Sequence, residues 1–121
     1  MAIALWIVQG LLGLIFVITG SFKLFQTKEK VIESGGTWAE DFEPGIIKII
    51  AAVELTSGIA VIVPRLLGHG RYLTLMGAAC IAFIMVGSIY THLRRKEFKH
   101  ALINAVFLLM AMFVAYAGRP V

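Results

Sequence analysis

The chain has 121 residues, of which 60% are hydrophobic and only 15% charged, and its mean hydropathy is +0.90. This composition excludes an ordinary soluble domain, because too few polar side chains are available to cover a protein of this size. The formal net charge of +4 does not require nucleic acid as a partner, since basic residues beside membrane spans contact anionic lipid headgroups.

Four apolar runs, each close to the ~20 residues that a helix needs to cross a bilayer, predict an all-α integral membrane four-helix bundle. The predicted helices are about 2–25, 46–63, 72–93 and 101–117, in a single domain over residues 1–121. The first run carries no charge until Lys23, and no positive segment precedes it, so we expect a spanning helix rather than a cleaved signal peptide. Pro64 is expected to end the second helix.

The eleven Lys and Arg residues divide unequally between the two sides of the predicted bundle. The side of the termini and the second connection has three, Arg65, Arg71 and Arg119. The side of the first and third connections has eight, Lys23, Lys28, Lys30, Lys48, Arg94, Arg95, Lys96 and Lys99. Because Lys-rich and Arg-rich loops stay in the cytoplasm, we expect a multi-pass inner-membrane protein with both termini outside.

The first connection, residues 26–45, is longer than the ~2–8 residues usual between helices of a bundle. It contains Trp38 and Phe42, and Thr37-Trp38-Ala39-Glu40 has the spacing of a capping box that opens a short helix. Two interpretations stay open. The segment is an aromatic anchor in the membrane interface, or it is a lid over an opening between the helices.

One face of the first predicted helix carries residues spaced three or four apart, Gln9, Gly13, Phe16, Gly20 and Lys23. Its glycines allow a neighbouring helix to approach closely, and its two polar ends would be costly in lipid. We therefore expect this stripe to face the interior of the bundle.

The second predicted helix has a corresponding stripe, Ala51, Glu54, Gly58 and Val61. Glu54 lies near the middle of this helix, where a charged side chain costs ~2.5–3.5 kcal/mol on insertion scales. We therefore expect Glu54 to be protonated or to pair with a cation, and Lys23 or His92 is the expected partner. An ion pair that only joins two helices is the alternative to a functional acid.

The third and fourth predicted helices place further polar residues in the same half of the bundle as Lys23, namely Ser88, Tyr90, Thr91, His92, His100 and Asn104. Lys23, Glu54, His92, His100 and Asn104 thus form a constellation drawn from four helices. Taken singly, each has a simpler explanation. A lysine extends to the interface, histidines lie among headgroups, and an amide joins two helices.

Several kinds of chemistry find no support in the sequence. Cys80 is the single cysteine, which excludes an internal disulfide and a membrane dithiol oxidoreductase. His92 and His100 lie across a helix break without a metal-binding pattern, and no phosphate-binding loop or nucleophile elbow is present. We predict no metal and no intrinsic cofactor, and whether the chain is an enzyme stays open.

Short motifs extend over nearly the whole chain. They are Leu5-Trp6-x-x-Gln9, Phe16-x-x-x-Gly20-x-x-Lys23, Ala52-Val53-Glu54-x-x-x-Gly58 with Pro64, His92-Leu93-Arg94-Arg95-Lys96-Glu97 and Ala101-x-x-Asn104. Together they resemble the DoxX-like family of four-helix bacterial membrane proteins. The wider family includes a subunit associated with thiosulfate–quinone oxidoreduction and proteins linked to membrane redox complexes, while most members have no established activity. By this resemblance the recurrent polar residues are Gln9, Lys23, Glu54, His92 and Asn104, our predicted ligand-binding residues.

The leading hypothesis is a DoxX-like inner-membrane protein that binds a hydrophobic small molecule, a quinone or a lipid, in a pocket among its helices. Any redox activity would then belong to a partner subunit. A small proton-coupled transporter of the multidrug-resistance type is an alternative. It is disfavoured because the acid lies on the second predicted helix with a lysine on the first, and because the charge split is unequal. A structural assembly subunit, including a homo-oligomer, is the third hypothesis, since glycine-lined stripes suit helix association.

Overall fold

The computed structural model describes residues 2–34 and 37–118, and within these ranges all regular structure is helical. The helices are α1 (Ala2–Phe25), α2 (Lys28–Glu33), a 3₁₀ helix (Thr37–Asp41), α3 (Pro44–Leu67), α4 (Arg71–Arg94) and α5 (Phe98–Ala117). Four of them, α1, α3, α4 and α5, are long and apolar enough to cross a membrane. The predicted all-α four-helix membrane bundle is confirmed.

The four long helices form a ring of antiparallel neighbours. Helix α1 packs along α3, α3 along α4 and α4 along α5, and α5 closes the ring with a smaller contact on α1. The start of α1, the end of α5 and the α3–α4 turn lie together at what we call the terminal end. The other end carries the first connection, whose described residues 26–34 and 37–43 we call the lid.

The outside of the ring is apolar and the centre is closely packed. Large side chains such as Ile3, Ile49 and Leu102 are 77%, 66% and 68% exposed, which is the surface expected of a protein that contacts lipid. The core includes Leu12 and Phe16 of α1 with residues from the other three long helices, among them Val61, Ile81 and Val114. The protein is therefore a multi-pass membrane protein with a lipid-facing surface.

The second spanning helix does not end at Pro64 as the sequence predicts, and α3 continues to Leu67. A proline lacks the N–H that would bond to the carbonyl four residues earlier, here that of Ala60. The hydroxyl of Thr74 on α4 donates to this carbonyl at 3.4 Å and replaces the missing donor. Gly68 caps the end of the helix: its φ of 79° is left-handed, and its N–H donates to the Pro64 carbonyl.

Helices α1 and α3 contact each other backbone to backbone, as the two predicted stripes require. A β-carbon added to Gly20 would lie 2.7 Å from the Leu55 nitrogen, and one added to Gly58 would lie 2.8 Å from the Gly13 oxygen. Such separations leave no room for any side chain larger than hydrogen. The prediction that these stripes face the bundle interior is confirmed.

The lid has its own small core. Val31, Ala39 and Ile47 are buried together, with Trp38 and Phe42 packed against them. Thr27 caps α2, which the sequence analysis did not predict, by accepting a hydrogen bond from the Lys30 N–H. The helix predicted from Thr37 is present as one 3₁₀ turn, so the long connection is folded against the start of α3.

Candidate functional site

A cavity of about 650 Å³ lies among α1, α3, α4 and α5 in the half of the bundle nearest the lid. Much of its wall is apolar, including Ile15, Phe16, Ile50, Phe83, Ile84, Met85 and Phe107. Polar side chains line it as well, namely Thr19, Lys23, Glu54, Ser88, Thr91, His92, His100 and Asn104. A mainly apolar space with a few polar groups has the size and character of a small-molecule site.

Glu54 and Lys23 form an ion pair in the cavity wall. The Lys23 Nζ donates to both carboxylate oxygens of Glu54, at 3.0 and 3.2 Å, and Thr19 Oγ1 donates to Oε2 at 3.3 Å. The Glu54 side chain is 4% exposed and that of Lys23 is 21% exposed. The close α1–α3 contact places these residues opposite each other, and the predicted partnership with Lys23 is confirmed.

Lys48 fixes the end of α1 beside this pair. Its ammonium group donates to the carbonyls of Lys23, Leu24 and Gln26, which are among the groups left without helical partners where α1 ends. A cation at this position also interacts favourably with the helix dipole. Because Lys48 belongs to the first turns of α3, it ties the end of α1 to α3 and restricts the position of Lys23.

His92 is held by Glu97 rather than by Glu54. Its Nδ1 lies 2.8 Å from Glu97 Oε1, so the alternative prediction of a Glu54 partnership is wrong for His92. The physical reason is the turn that ends α4. Lys96 has a left-handed φ of 61°, its N–H donates to the Leu93 carbonyl, and the Glu97 N–H donates to the His92 carbonyl at 2.8 Å. This Schellman turn returns Glu97 to the side of His92.

Glu97 also belongs to a cluster that joins the lid to the α4–α5 turn, which we call the clasp. Thr37 Oγ1 donates to Glu97 Oε2 at 2.6 Å, and Arg95 donates to Glu97, Asp41 and Glu40 at 3.2, 2.9 and 2.8 Å. The Thr37 hydrogen bond, with those from His92 and Arg95, lowers the pKa of Glu97 from 4.5 to about 2 against the opposing effect of burial. The three carboxylates together raise the pKa of Arg95. Glu97 and Arg95 are therefore charged at neutral pH.

The remaining polar groups of the cavity lie on α4 and α5. Asn104 Nδ2 donates to Ser88 Oγ at 2.6 Å, and the rings of His92 and His100 stack with centroids 5.2 Å apart. Within the described ranges, no hydrogen bond joins the Asn104 pair to the Lys23–Glu54 pair. The polar groups thus form separate pairs around the cavity instead of one closed network.

The lid covers the polar part of the cavity. Trp38 and Phe42 line it, with their rings 5.8 Å apart in an edge-to-face arrangement. The Lys23 ammonium lies 5.1 Å from the centre of the Trp38 ring, a distance typical of a cation–π contact. Of the two interpretations of this segment, the contacts favour a lid over an interfacial anchor.

Four of the five predicted ligand-binding residues line this cavity, and Gln9 does not. Lys23, Glu54, His92 and Asn104 lie around it, whereas Gln9 is near the terminal end, where its Nε2 donates to the Val61 carbonyl at 2.6 Å. Gln9 shares a helix face with Lys23 but precedes it by fourteen residues, which is about 21 Å along the axis. A common face does not imply a common depth.

Sequence reasoning missed Thr19 and Glu97. Thr19 precedes Lys23 by four residues and thus shares its helix face, a signal that could have identified it. Glu97 has no such signal, because its contact with His92 depends on the left-handed Lys96 in the turn. Cys80 is exposed on the outside of α4, and the described residues contain no cluster of three His, Cys, Asp or Glu side chains able to hold a metal ion.

Comparison with known proteins gives one family match. The sequence model of the DoxX-like family matches residues 7–114. This range includes the lid, α3 and α4 in full, and all but the first residues of α1 and the last residues of α5. No curated protein and no solved structure matches the chain.

Proposed function

This chain belongs to the DoxX-like family, and we propose that it binds a hydrophobic small molecule, a quinone or a lipid, in the cavity beneath the lid. The observation that carries the proposal is the cavity itself, about 650 Å³ of mainly apolar space with ionisable and amide groups near the lid. A ligand with an apolar body and a polar head would match the apolar and the polar parts of this cavity. Packing alone would not require the polar groups to surround a space.

The contacts suggest a role for each polar residue. Lys23 would donate to a carbonyl or phosphate oxygen of the head, and Glu54 would accept from a hydroxyl. His92 uses Nδ1 for Glu97, which leaves Nε2 for the ligand. Asn104 donates one N–H of its side-chain amide to Ser88, and the remaining N–H and the amide oxygen would orient the head. Any redox activity would come from a partner subunit, with a quinone as the shared ligand.

The ion pair favours ligand binding over a proton-coupled transporter. A carboxylate that carries protons through a transport cycle must be released in part of that cycle, and Glu54 accepts three hydrogen bonds from Lys23 and Thr19. The separate polar pairs likewise favour a ligand site over a subunit that has only a structural role, since a dry network would join them.

We also propose that the protein lies in the inner membrane with its lid in the cytoplasm and its termini outside. The support is the unequal distribution of Lys and Arg. One of the three basic residues on the outer side, Arg119, lies outside the described residues. In a Cys80→Ala background, an impermeant thiol reagent added outside should label His69→Cys and not Ser34→Cys, and the reverse pattern would refute this orientation.

The test of ligand binding uses a short-chain quinone and, separately, a short-chain phospholipid. Either should raise the melting temperature of the detergent-solubilised protein by mass action. The rise should shrink in Glu54→Gln and in Asn104→Leu with either compound. The rise with the quinone should persist in Arg65→Gln, a matched control at the terminal end. Absence of any response in the wild type, or an equal response in all variants, would contradict the proposal.

A further inference from the structure

A second cavity, of about 280 Å³, lies at the terminal end of the bundle. Its wall includes Trp6, Gln9, Pro64, Arg65, Gly68 and Thr74. The volume equals that of about nine waters at ~30 Å³ each, which is enough for one small polar headgroup. None of these residues takes part in the site under the lid.

Two buried polar atoms, one acceptor and one donor, have no hydrogen-bond partner among residues 2–34 and 37–118. The residues that carry them both line this cavity. One is Gln9 Oε1, on a side chain only 2% exposed, and the other is Arg65 Nε. The Val61 carbonyl can only accept, so the Gln9 amide nitrogen must face it, and Oε1 is left as an acceptor. A buried polar group without a partner is destabilising, so a molecule in the cavity that supplied both partners would bind favourably.

The charge of Arg65 determines the kind of molecule. All seven acidic residues of the chain lie in the lid, at the α4–α5 turn or within the half of the bundle near the lid, and all belong to the described ranges. The guanidinium of Arg65 is instead held over the Trp6 ring, with its central carbon 4.8 Å from the ring centre. Water would satisfy Arg65 Nε, but no Asp or Glu of residues 2–34 and 37–118 lines this cavity to balance its positive charge.

We propose that this cavity binds a phosphate ester that also carries a hydroxyl or ammonium donor. The phosphate would accept from Arg65, whose planar guanidinium suits phosphate oxygens, and the neighbouring donor would bond to Gln9 Oε1. The long helices have the length needed to cross a membrane, so their terminal end would lie near the lipid headgroups. The ester would then come from a phospholipid of that leaflet or from a soluble molecule. The chemistry required at Arg65 and Gln9 is the same for both sources.

The experiment uses Trp6 as a local reporter. Because the chain has two tryptophans, Trp38→Phe leaves Trp6 as the only one. In detergent, its emission is titrated with short-chain phosphatidylglycerol, with phosphatidylcholine, with glycerol phosphate and with inorganic phosphate. Phosphatidylglycerol should bind at least tenfold more tightly than phosphatidylcholine. One hydrogen bond of ~1.4 kcal/mol corresponds to a tenfold change, and the quaternary ammonium of phosphatidylcholine has no donor and also balances the phosphodiester charge.

Arg65→Gln should weaken phosphatidylglycerol binding at least tenfold, and Arg65→Lys should weaken it less. Lys30→Gln removes a positive charge at the lid and should not change the affinity. A response to glycerol phosphate identifies a soluble source, and a response to lipid alone identifies a headgroup source. Equal affinity for the two lipids, or no change in Trp6 emission with any of the four compounds, would overturn the proposal and leave a hydrated cavity. The comparison of the two lipids needs no substitution of Arg65, so it tests the proposed site even if the Arg65 variants fail to fold.

Discussion

The two ends of the bundle differ in what their buried or half-buried cations contact. At the lid end, Lys23 pairs with Glu54, and Arg95 pairs with three carboxylates. At the terminal end, Arg65 lies against an aromatic ring, and no Asp or Glu in the described part of the chain is near enough to pair with it. Opposite charges thus join the helices at the lid end, whereas the described residues at the terminal end provide no carboxylate for Arg65.

The largest expected effect comes from breaking the matched pair. Lys23→Met leaves the Glu54 carboxylate buried without a cation, which should cost ~3–5 kcal/mol. Arg65→Met leaves no carboxylate behind and loses mainly a cation–π contact, which should cost ~0.5–1 kcal/mol. Adding Glu54→Gln to Lys23→Met should restore much of the lost stability. Thermal unfolding in detergent measures these three variants and Glu54→Gln alone. A loss in the double variant equal to the sum of the losses in Lys23→Met and Glu54→Gln would contradict the pairing.

A smaller effect is expected where the helices touch near the lid end. Gly20→Ala places a β-carbon 2.7 Å from the backbone nitrogen of Leu55, so α1 and α3 must separate, at a cost of ~1–3 kcal/mol. Gly10→Ala is the matched control on the same helix, because no described atom lies within 4 Å of its added β-carbon. Equal melting temperatures for the two variants would show that the close helix contact does not position Lys23 opposite Glu54.

The smallest effect concerns the clasp and pH. Folding lowers the pKa of Glu97 from 4.5 to about 2, so its contribution to stability is complete above pH 4.5 and is lost as the pH falls towards 2. The ion pairs of Glu97 are half-buried at the edge of the bundle, where solvent screening limits their contribution to about 1 kcal/mol, so the lid should loosen without unfolding of the bundle. Trp38 emission in a Trp6→Phe background reports this loosening. Glu97→Gln should remove that acid transition, and a transition unchanged in this variant would assign it to other groups.

The sequence predicted the long helices and the Lys23–Glu54 pair because both follow from the cost of polar groups in lipid and from helical periodicity. It did not predict the continuation of α3 through Pro64, because the donor that compensates is Thr74 on another helix. The partner of His92 was also missed, since a left-handed residue in the turn determines it. The cavity depends on how far α1 lies from α5, which no local pattern encodes.

The central claim is that a ligand occupies the cavity under the lid. Gly87 lines this cavity, and no described atom lies within 4 Å of the position that a β-carbon would take there. Gly87→Leu should therefore fill part of the cavity without disturbing a helix contact, while Gly10→Leu adds the same side chain away from it. Native mass spectrometry of the gently purified protein should find one more hydrophobic molecule bound per chain in the wild type and in Gly10→Leu than in Gly87→Leu, whatever the terminal-end cavity retains. Equal retention in all three proteins, or no bound molecule in the wild type, would contradict the claim.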